Sequence, residues 1–158
     1  KKIKKKYPFV EFRLLGSIDS NNPNAVTQAQ LNLWCHEGTI TYLGTSKDVR
    51  EQLSKSDCIV LPSYREGTPR ALLEAAAMAR PVIATDVPGC RDVVLHNVNG
   101  YLCKAYDFED LAKKLEKILK LPSCELIEMG LAGRRHVENN YNESIVIESY
   151  QNLLFRLK

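Results

Sequence analysis

The chain of 158 residues has a formal net charge of +3, 44% hydrophobic and 26% charged residues, which fits one globular domain with a core of its own. So mild a charge excludes an argument for nucleic acid as a partner, and no apolar run approaches the roughly 20 residues of a membrane span. The five cysteines (Cys35, Cys58, Cys90, Cys103, Cys124) are widely spaced, with no C-x-x-C pair; they indicate neither a disulfide framework nor a zinc site and point to free thiols in a reducing, cytoplasmic setting.

Lysines fill five of the first six positions, KKIKKK. The cluster reads first as the solvated end of a helix and second as an attraction to an anionic membrane surface. Tyr7-Pro8 closes it, and residues 10–15 read as a strand that Gly16 ends. A polar loop, SIDSNNPN over 17–24, sits at the carboxyl end of that strand, with Pro23-Asn24 leading into a helix predicted over 25–36. Val26, Ala29, Leu33 and Trp34 lie near helical spacing and are its expected packing face. Gly38 breaks the chain, 40–43 reads as a second strand ending in Gly44, and 44–48 leads to a short helix over 48–54.

Residues 63–86, SYREGTPRALLEAAAMARPVIATD, organise the rest. Thr68 is the expected N-cap and Pro69 the first helical residue, where a missing N–H costs nothing. Ala71 to Met78 favour helix, and Arg80-Pro81 stops it. Val82-Ile83-Ala84 reads as a strand buried on both faces, and Cys58-Ile59-Val60-Leu61 has the same character. The unit is therefore strand, loop, helix, strand. Gly67 and Thr68 stand at a helix amino end, which suits a phosphate or a hydroxyl-rich ligand. Glu66 in the loop and Glu74 in the helix are acceptors for vicinal hydroxyls, in the crevice beyond the strand ends where open α/β sheets bind ligands.

Further on, 86–89 reads as a turn, 90–95 as a short helix, 96–100 as a turn and 101–103 as a strand. Asp107 caps a helix bearing Leu111, Leu115, Ile118 and Leu119, and two more helices follow over 123–139 and 142–157. His36, His96 and His136 are far apart and carry no ligand spacing. The fold class is α/β, a Rossmann-like parallel sheet of about five strands with helices on both faces. A dehydrogenase would need G-x-G-x-x-G after the first strand, where SIDSNN follows Gly16; a serine elbow would need G-x-S-x-G, which is absent.

The E-x7-E string Glu66-Gly67-Thr68-Pro69-Arg70-Ala71-Leu72-Leu73-Glu74 and the following Arg80-Pro81-Val82-Ile83-Ala84-Thr85-Asp86 resemble the family-four retaining glycosyltransferases of the GT-B fold. Leu61-Pro62-Ser63-Tyr64 and Val87-Pro88-Gly89-Cys90-Arg91-Asp92-Val93-Val94 are similar to the bacterial branch that builds lipid-linked glycans and capsules. The resemblance implies a nucleotide-sugar donor, UDP-linked, a glycan or lipid-linked acceptor, and no metal or cofactor. It implies that Glu66 orients the donor sugar, that Glu74 holds the ribose, and that the Gly67 and Thr68 amides position sugar or phosphate. Arg70 would add cationic stabilisation. Gly16 and Gly44 would let the backbone approach the donor, with 45–49, Thr45 to Val49 at its ends, beside the base. Relatives carry a further strand and helix with a diphosphate-gripping Arg and Lys, and an acceptor-binding N-terminal domain. The expectation is therefore one nucleotide-sugar-binding domain of a larger enzyme, inactive alone, working at the inner face of a membrane. Its strands should run 39–43, 11–16, a vacancy, 58–61, 81–85, 100–103. The alternative is a non-catalytic nucleotide-sugar-binding module of the same fold.

Overall fold

The computed structural model describes residues 1–19 and 25–156, so most of the 17–24 loop with Pro23 and Asn24, and the last residue of the final predicted helix, lie outside the described residues. Two compact units make up the chain, residues 1–49 and 50–158.

In the first unit, helix α1 (Lys2–Lys6) precedes strand β1 (Arg13–Leu14), helix α2 (Gln28–His36) and strand β2 (Thr41–Tyr42). The two strands pair in parallel, Arg13 with Thr41 and Leu14 with Tyr42. Helix α2 begins three residues later than its composition suggests, because Thr27 is the cap: its hydroxyl accepts from the Gln30 N–H at 3.2 Å. The packing face also differs from expectation. Leu31 is the buried residue, while Leu33 and Val26 are largely exposed. The basic cluster docks on the carboxyl end of α2. Lys4 Nζ donates to the Gly38 carbonyl at 2.7 Å and Lys1 pairs with Glu37 at 2.6 Å, where the helix terminus is electronegative.

The second unit holds α3 (Arg50–Ser54), β3 (Ile59–Leu61), α4 (Arg70–Ala77), β4 (Val82–Thr85), α5 (Pro88–Val93), β5 (Gly100–Cys103), α6 (Phe108–Leu119), α7 (Ser123–Asn140) and α8 (Glu143–Arg156). Its strands form a parallel sheet in the order β3-β4-β5, with Val60 opposite Ile83 and Ile83 opposite Tyr101. In each unit the strands expected to be neighbours are neighbours. Strand β4 is buried along its length, as a central parallel strand with apolar side chains on both faces should be. Strand β3 is only half-buried, since it is an edge of this sheet.

Ile83, Tyr101, Cys103, Ile118 and Met129 form a core beneath α6 and α7, and Cys58, Val60, Leu111 and Leu115 pack onto it. Helix α4 packs against β3 and β4 and contributes the wholly buried Leu72, a side chain whose burial is worth about 1.5–3 kcal/mol.

Helix α4 ends before the Arg80-Pro81 signal. Ala79 takes the left-handed conformation (φ 53°), its N–H donates to the Ala76 carbonyl, and Arg80 N–H reaches back to that of Ala75, each at 2.9 Å. These two bonds close the helix in a Schellman motif with alanine where glycine usually stands. Helix α7 lies against this turn. A methyl group on Gly130 would overlap the Ala79 carbonyl, and one on Gly133 would stand 3.5 Å from the Ala76 Cβ.

Candidate functional site

The loop from Leu61 to Pro69 connects β3 to α4 and is held from below by β4. Thr85 is buried, and its hydroxyl is shared between the Ser63 carbonyl and the Leu61 carbonyl, the latter at 3.4 Å. Pro69 is buried and is itself the N-cap of α4, with extended backbone (φ −75°, ψ 112°). Thr68 therefore does not cap the helix; the extended backbone at Pro69 delays its start by one residue. The Leu72 and Leu73 N–H groups both bond to the Pro69 carbonyl, at 3.0 and 3.2 Å. That leaves the amides of Arg70 and Ala71 ahead of the hydrogen-bond ladder, at the electropositive end of the helix.

A second clamp comes from α5. The segment 86–89 winds into the helix rather than forming a separate turn, with Val87 as cap and Pro88 in the first position, where proline is at home. This brings Gly89 hard against the Glu66-Gly67 peptide: a methyl group on Gly89 would fall on the Gly67 carbonyl and 2.8 Å from the Glu66 carbonyl oxygen. Arg91 on α5 anchors the end of β4, its Nε donating to Asp86 Oδ1 at 2.5 Å and its Nη2 to the Asp86 carbonyl at 3.2 Å. Asn99 secures the other end of α5. Its amide nitrogen donates to the Val93 carbonyl at 2.9 Å and its oxygen accepts from the Leu95 N–H at 2.8 Å.

So clamped, Glu66 is half-buried while Gly67 and Thr68 are exposed. Glu74 lies on α4, 40% exposed, and Arg70 one turn earlier reaches its Oε1 at 3.4 Å from an 89% exposed side chain. The Cys90 thiol is buried in the first turn of α5 and is pushed up to about 11, by burial first, by the Glu66 carboxylate second and by Cys103 third. Glu66 thus lies within electrostatic reach of Cys90. The two carboxylates are hydroxyl acceptors and the helix end is an anion seat, so the loop has the parts for a sugar nucleotide.

In the first unit, Gly16 and Gly44 stand at the ends of β1 and β2 and touch: Gly16 N–H donates to the Gly44 carbonyl at 2.8 Å. Both have positive φ, +146° and +71°, so each has a backbone reason to be glycine apart from any ligand. Tyr42 adds a hydroxyl bond to the Gly16 carbonyl at 2.8 Å. Thr45 is exposed and Val49 half-buried, flanking a turn in which Ser46 bonds Asp48.

Thr85, Gly89 and the Asp86–Arg91 pair escaped the sequence reading. A glycine after a proline reads as a turn, and the only signal for its packing role was its place in a helix-compatible run. A cavity of about 730 Å³ opens toward the amino end of β5, lined by Asn97, Tyr101, Lys117, Glu125, Glu128 and Met129 among others; neither Glu66 nor Glu74 borders it. Among the described residues no helix is long and apolar enough to cross a membrane.

Residues 1–121 match the family model described as Glycosyl transferases group 1. Over 147 residues, 92% of this chain, there is 31% identity to N,N'-diacetylbacillosaminyl-diphospho-undecaprenol alpha-1,3-N-acetylgalactosaminyltransferase of Campylobacter jejuni; the chain spans 37% of that relative's length. Among solved structures, the Anabaena protein HepE in complex with UDP superposes with a TM-score of 0.83 at 19% identity, covering 94% of this chain and 42% of HepE. The C-terminal domain of a Francisella tularensis group 1 protein, LpcC, superposes with a TM-score of 0.75 at 23% identity, covering 90% of this chain and 75% of that one. These likenesses place the strands and helices above in the GT-B fold.

Proposed function

The chain belongs to the group 1 glycosyl transferases, and on that premise we propose that it is the donor-binding part of a retaining glycosyltransferase that uses a UDP-sugar. The observation that carries the reading is the clamped loop, which holds Glu66 at the carboxyl end of β3 directly before the amino end of α4, with Glu74 on the same helix.

In this reading Glu74 accepts the ribose hydroxyls and Glu66 those of the donor sugar. The amino end of α4 and the Gly67 and Thr68 amides take the negative charge of the diphosphate or the sugar's oxygens. The acceptor oxygen attacks the anomeric carbon as the bond to the diphosphate breaks, and its proton passes to the departing diphosphate oxygen. Glu66 positions the sugar and forms no bond to it. The scheme asks for no metal.

A lipid-linked glycan acceptor is supported by the Campylobacter relative, whose name gives N,N'-diacetylbacillosaminyl-diphospho-undecaprenol as the acceptor; work at the inner face of a membrane would follow from such an acceptor. A UDP-linked donor is supported by the UDP held in HepE. The test is a titration of the intact protein with UDP-glucose, UDP-galactose and their N-acetylamino forms, followed by a transfer assay with lipid-linked acceptors. Saturable binding and transfer with retained anomeric configuration are the expected results. Binding without transfer to any acceptor would favour a non-catalytic module.

A further inference from the structure

Tyr64 and Tyr106 lie in the loops that leave the two outer strands of the second unit's sheet, Tyr64 after β3 and Tyr106 after β5. Strand β4 lies between those strands, so their axes are about 9–10 Å apart. The rings nevertheless stack, with centroids 4.0 Å apart and planes 13° from parallel. The pair therefore bridges the carboxyl end of β4, with Tyr64 two residues ahead of Glu66.

Two observations separate this pair from ordinary packing. Although each ring covers a face of the other, Tyr64 is 59% and Tyr106 77% exposed, so aromatic surface is left in water. Tyr106 also has φ +60°, a left-handed backbone that a bulky residue adopts only under strain. Strain held at a residue whose side chain gains little burial is the pattern found at ligand-binding positions.

We propose that Tyr64 and Tyr106 form a platform for the sugar ring of the acceptor, an inference that rests on the glycosyltransferase reading above. One face of a pyranose presents C–H groups, which lie well on the electron-rich face of an aromatic ring. Its hydroxyls point outward, and Arg65 follows Tyr64 directly in the same exposed loop. Along the loop Tyr64 is on the strand side of Glu66, whereas the α4 end and Glu74, which the donor reading uses, are on its helix side. Tyrosine suits the task because it offers rigid, amphipathic area with few rotamers to freeze.

The test uses the intact protein, wild type and the variants Tyr64→Ala, Tyr64→Phe, Tyr106→Gly and Tyr106→Phe. Tyr106→Gly relieves the backbone strain while deleting the ring, so loss of binding in that variant is not loss of fold. The probes are the methyl glycosides of glucose, galactose, N-acetylglucosamine and N-acetylgalactosamine, followed by saturation-transfer NMR. The expected result is binding of at least one glycoside that survives both phenylalanine changes and is lost in Tyr64→Ala and Tyr106→Gly. In the transfer assay those two variants should raise the acceptor KM about tenfold or more, with the donor KM and UDP affinity unchanged. No glycoside binding by the wild type would overturn the proposal. So would a fall in UDP affinity in the same variants, which would make the platform a base-stacking one. A lowered melting temperature with unchanged acceptor KM would reduce the pair to a staple between loops. A wild type that binds no UDP-sugar would overturn the underlying reading, and the platform's acceptor role with it.

Discussion

Gly89 and Gly67 touch backbone to backbone, with no room for a methyl group between them. The loop that carries Glu66 is therefore pressed onto the first turn of α5, and its course depends on the absence of a side chain at position 89. Gly89→Ala must push the Glu66-Gly67 peptide outward or displace α5. The expected cost is about 1–3 kcal/mol of stability, the usual range for overpacking. Thermal melting and a UDP-sugar titration of the same sample check it: donor affinity should fall together with the melting temperature.

Gly67→Ala should behave in the opposite way. A methyl group at Gly67 meets nothing within 4 Å, and no left-handed backbone requires glycine there. Stability should stay within about 0.5 kcal/mol of wild type. If the donor lies against this peptide, UDP-sugar affinity should drop roughly tenfold, about 1.4 kcal/mol. Unchanged affinity by calorimetry would move the donor off the loop.

The two glutamates should part company when UDP and UDP-sugar are compared. Glu74→Ala is expected to weaken both ligands through the lost ribose contact. Glu66→Ala should spare UDP and weaken only the UDP-sugar. Each lost charge-assisted hydrogen bond corresponds to about 1.5–3 kcal/mol. Equal losses of UDP in both variants would erase the assignment.

The Cys90 thiol supplies a pH test. Its ordinary value is 9.0 and its value in the fold about 11, so the folded chain holds the proton more tightly than the unfolded one. The resulting stabilisation is complete below pH 9 and is lost as pH rises through 11. Cys58, pushed up to about 12 by burial, acts in the same direction. The urea midpoint should accordingly hold steady to about pH 9 and then decline. Because the Glu66 carboxylate contributes to the Cys90 shift, Glu66→Gln should bring the thiol back toward 9.0. Ultraviolet titration of the thiolate in the two proteins measures that difference, and identical curves would separate Glu66 from Cys90.

The placement of Glu66 in the loop and of Glu74 on the helix after it was legible because they lie in one continuous string with strong local signals. The alternating strands and helices were legible for the same reason. What stayed hidden were contacts between distant segments. Nothing local to Val87-Pro88-Gly89 says that its glycine faces the peptide after Glu66, and nothing local to Thr85 says that its hydroxyl will hold the Ser63 carbonyl. Helix ends were misplaced where a residue had two plausible roles. Thr68 is a good cap by type, but the extended backbone at Pro69 takes the position; Ala79 does by tertiary contact what glycine does by propensity. Leu31 was missed because the apolar residues of α2 (Ala29, Leu31, Leu33, Trp34, Cys35) spread around the helix without marking one face, and which of them is buried depends on neighbours the helix pattern does not reveal.

The close approach of α7 to the end of α4 has a mechanical consequence. At Gly130 and Gly133 the contact is made by backbone and β-carbons, with no long side chains to slide or repack between the helices. Such a seam does not yield gradually: it holds or it opens. The two helices should therefore exchange their amide hydrogens as one cooperative block, opening together on the same slow timescale. Helix α8, whose side chains are largely exposed, should exchange independently and sooner. The Leu61 to Pro69 loop, tied to α4 at one end and to β4 along its floor, inherits the stiffness of that block.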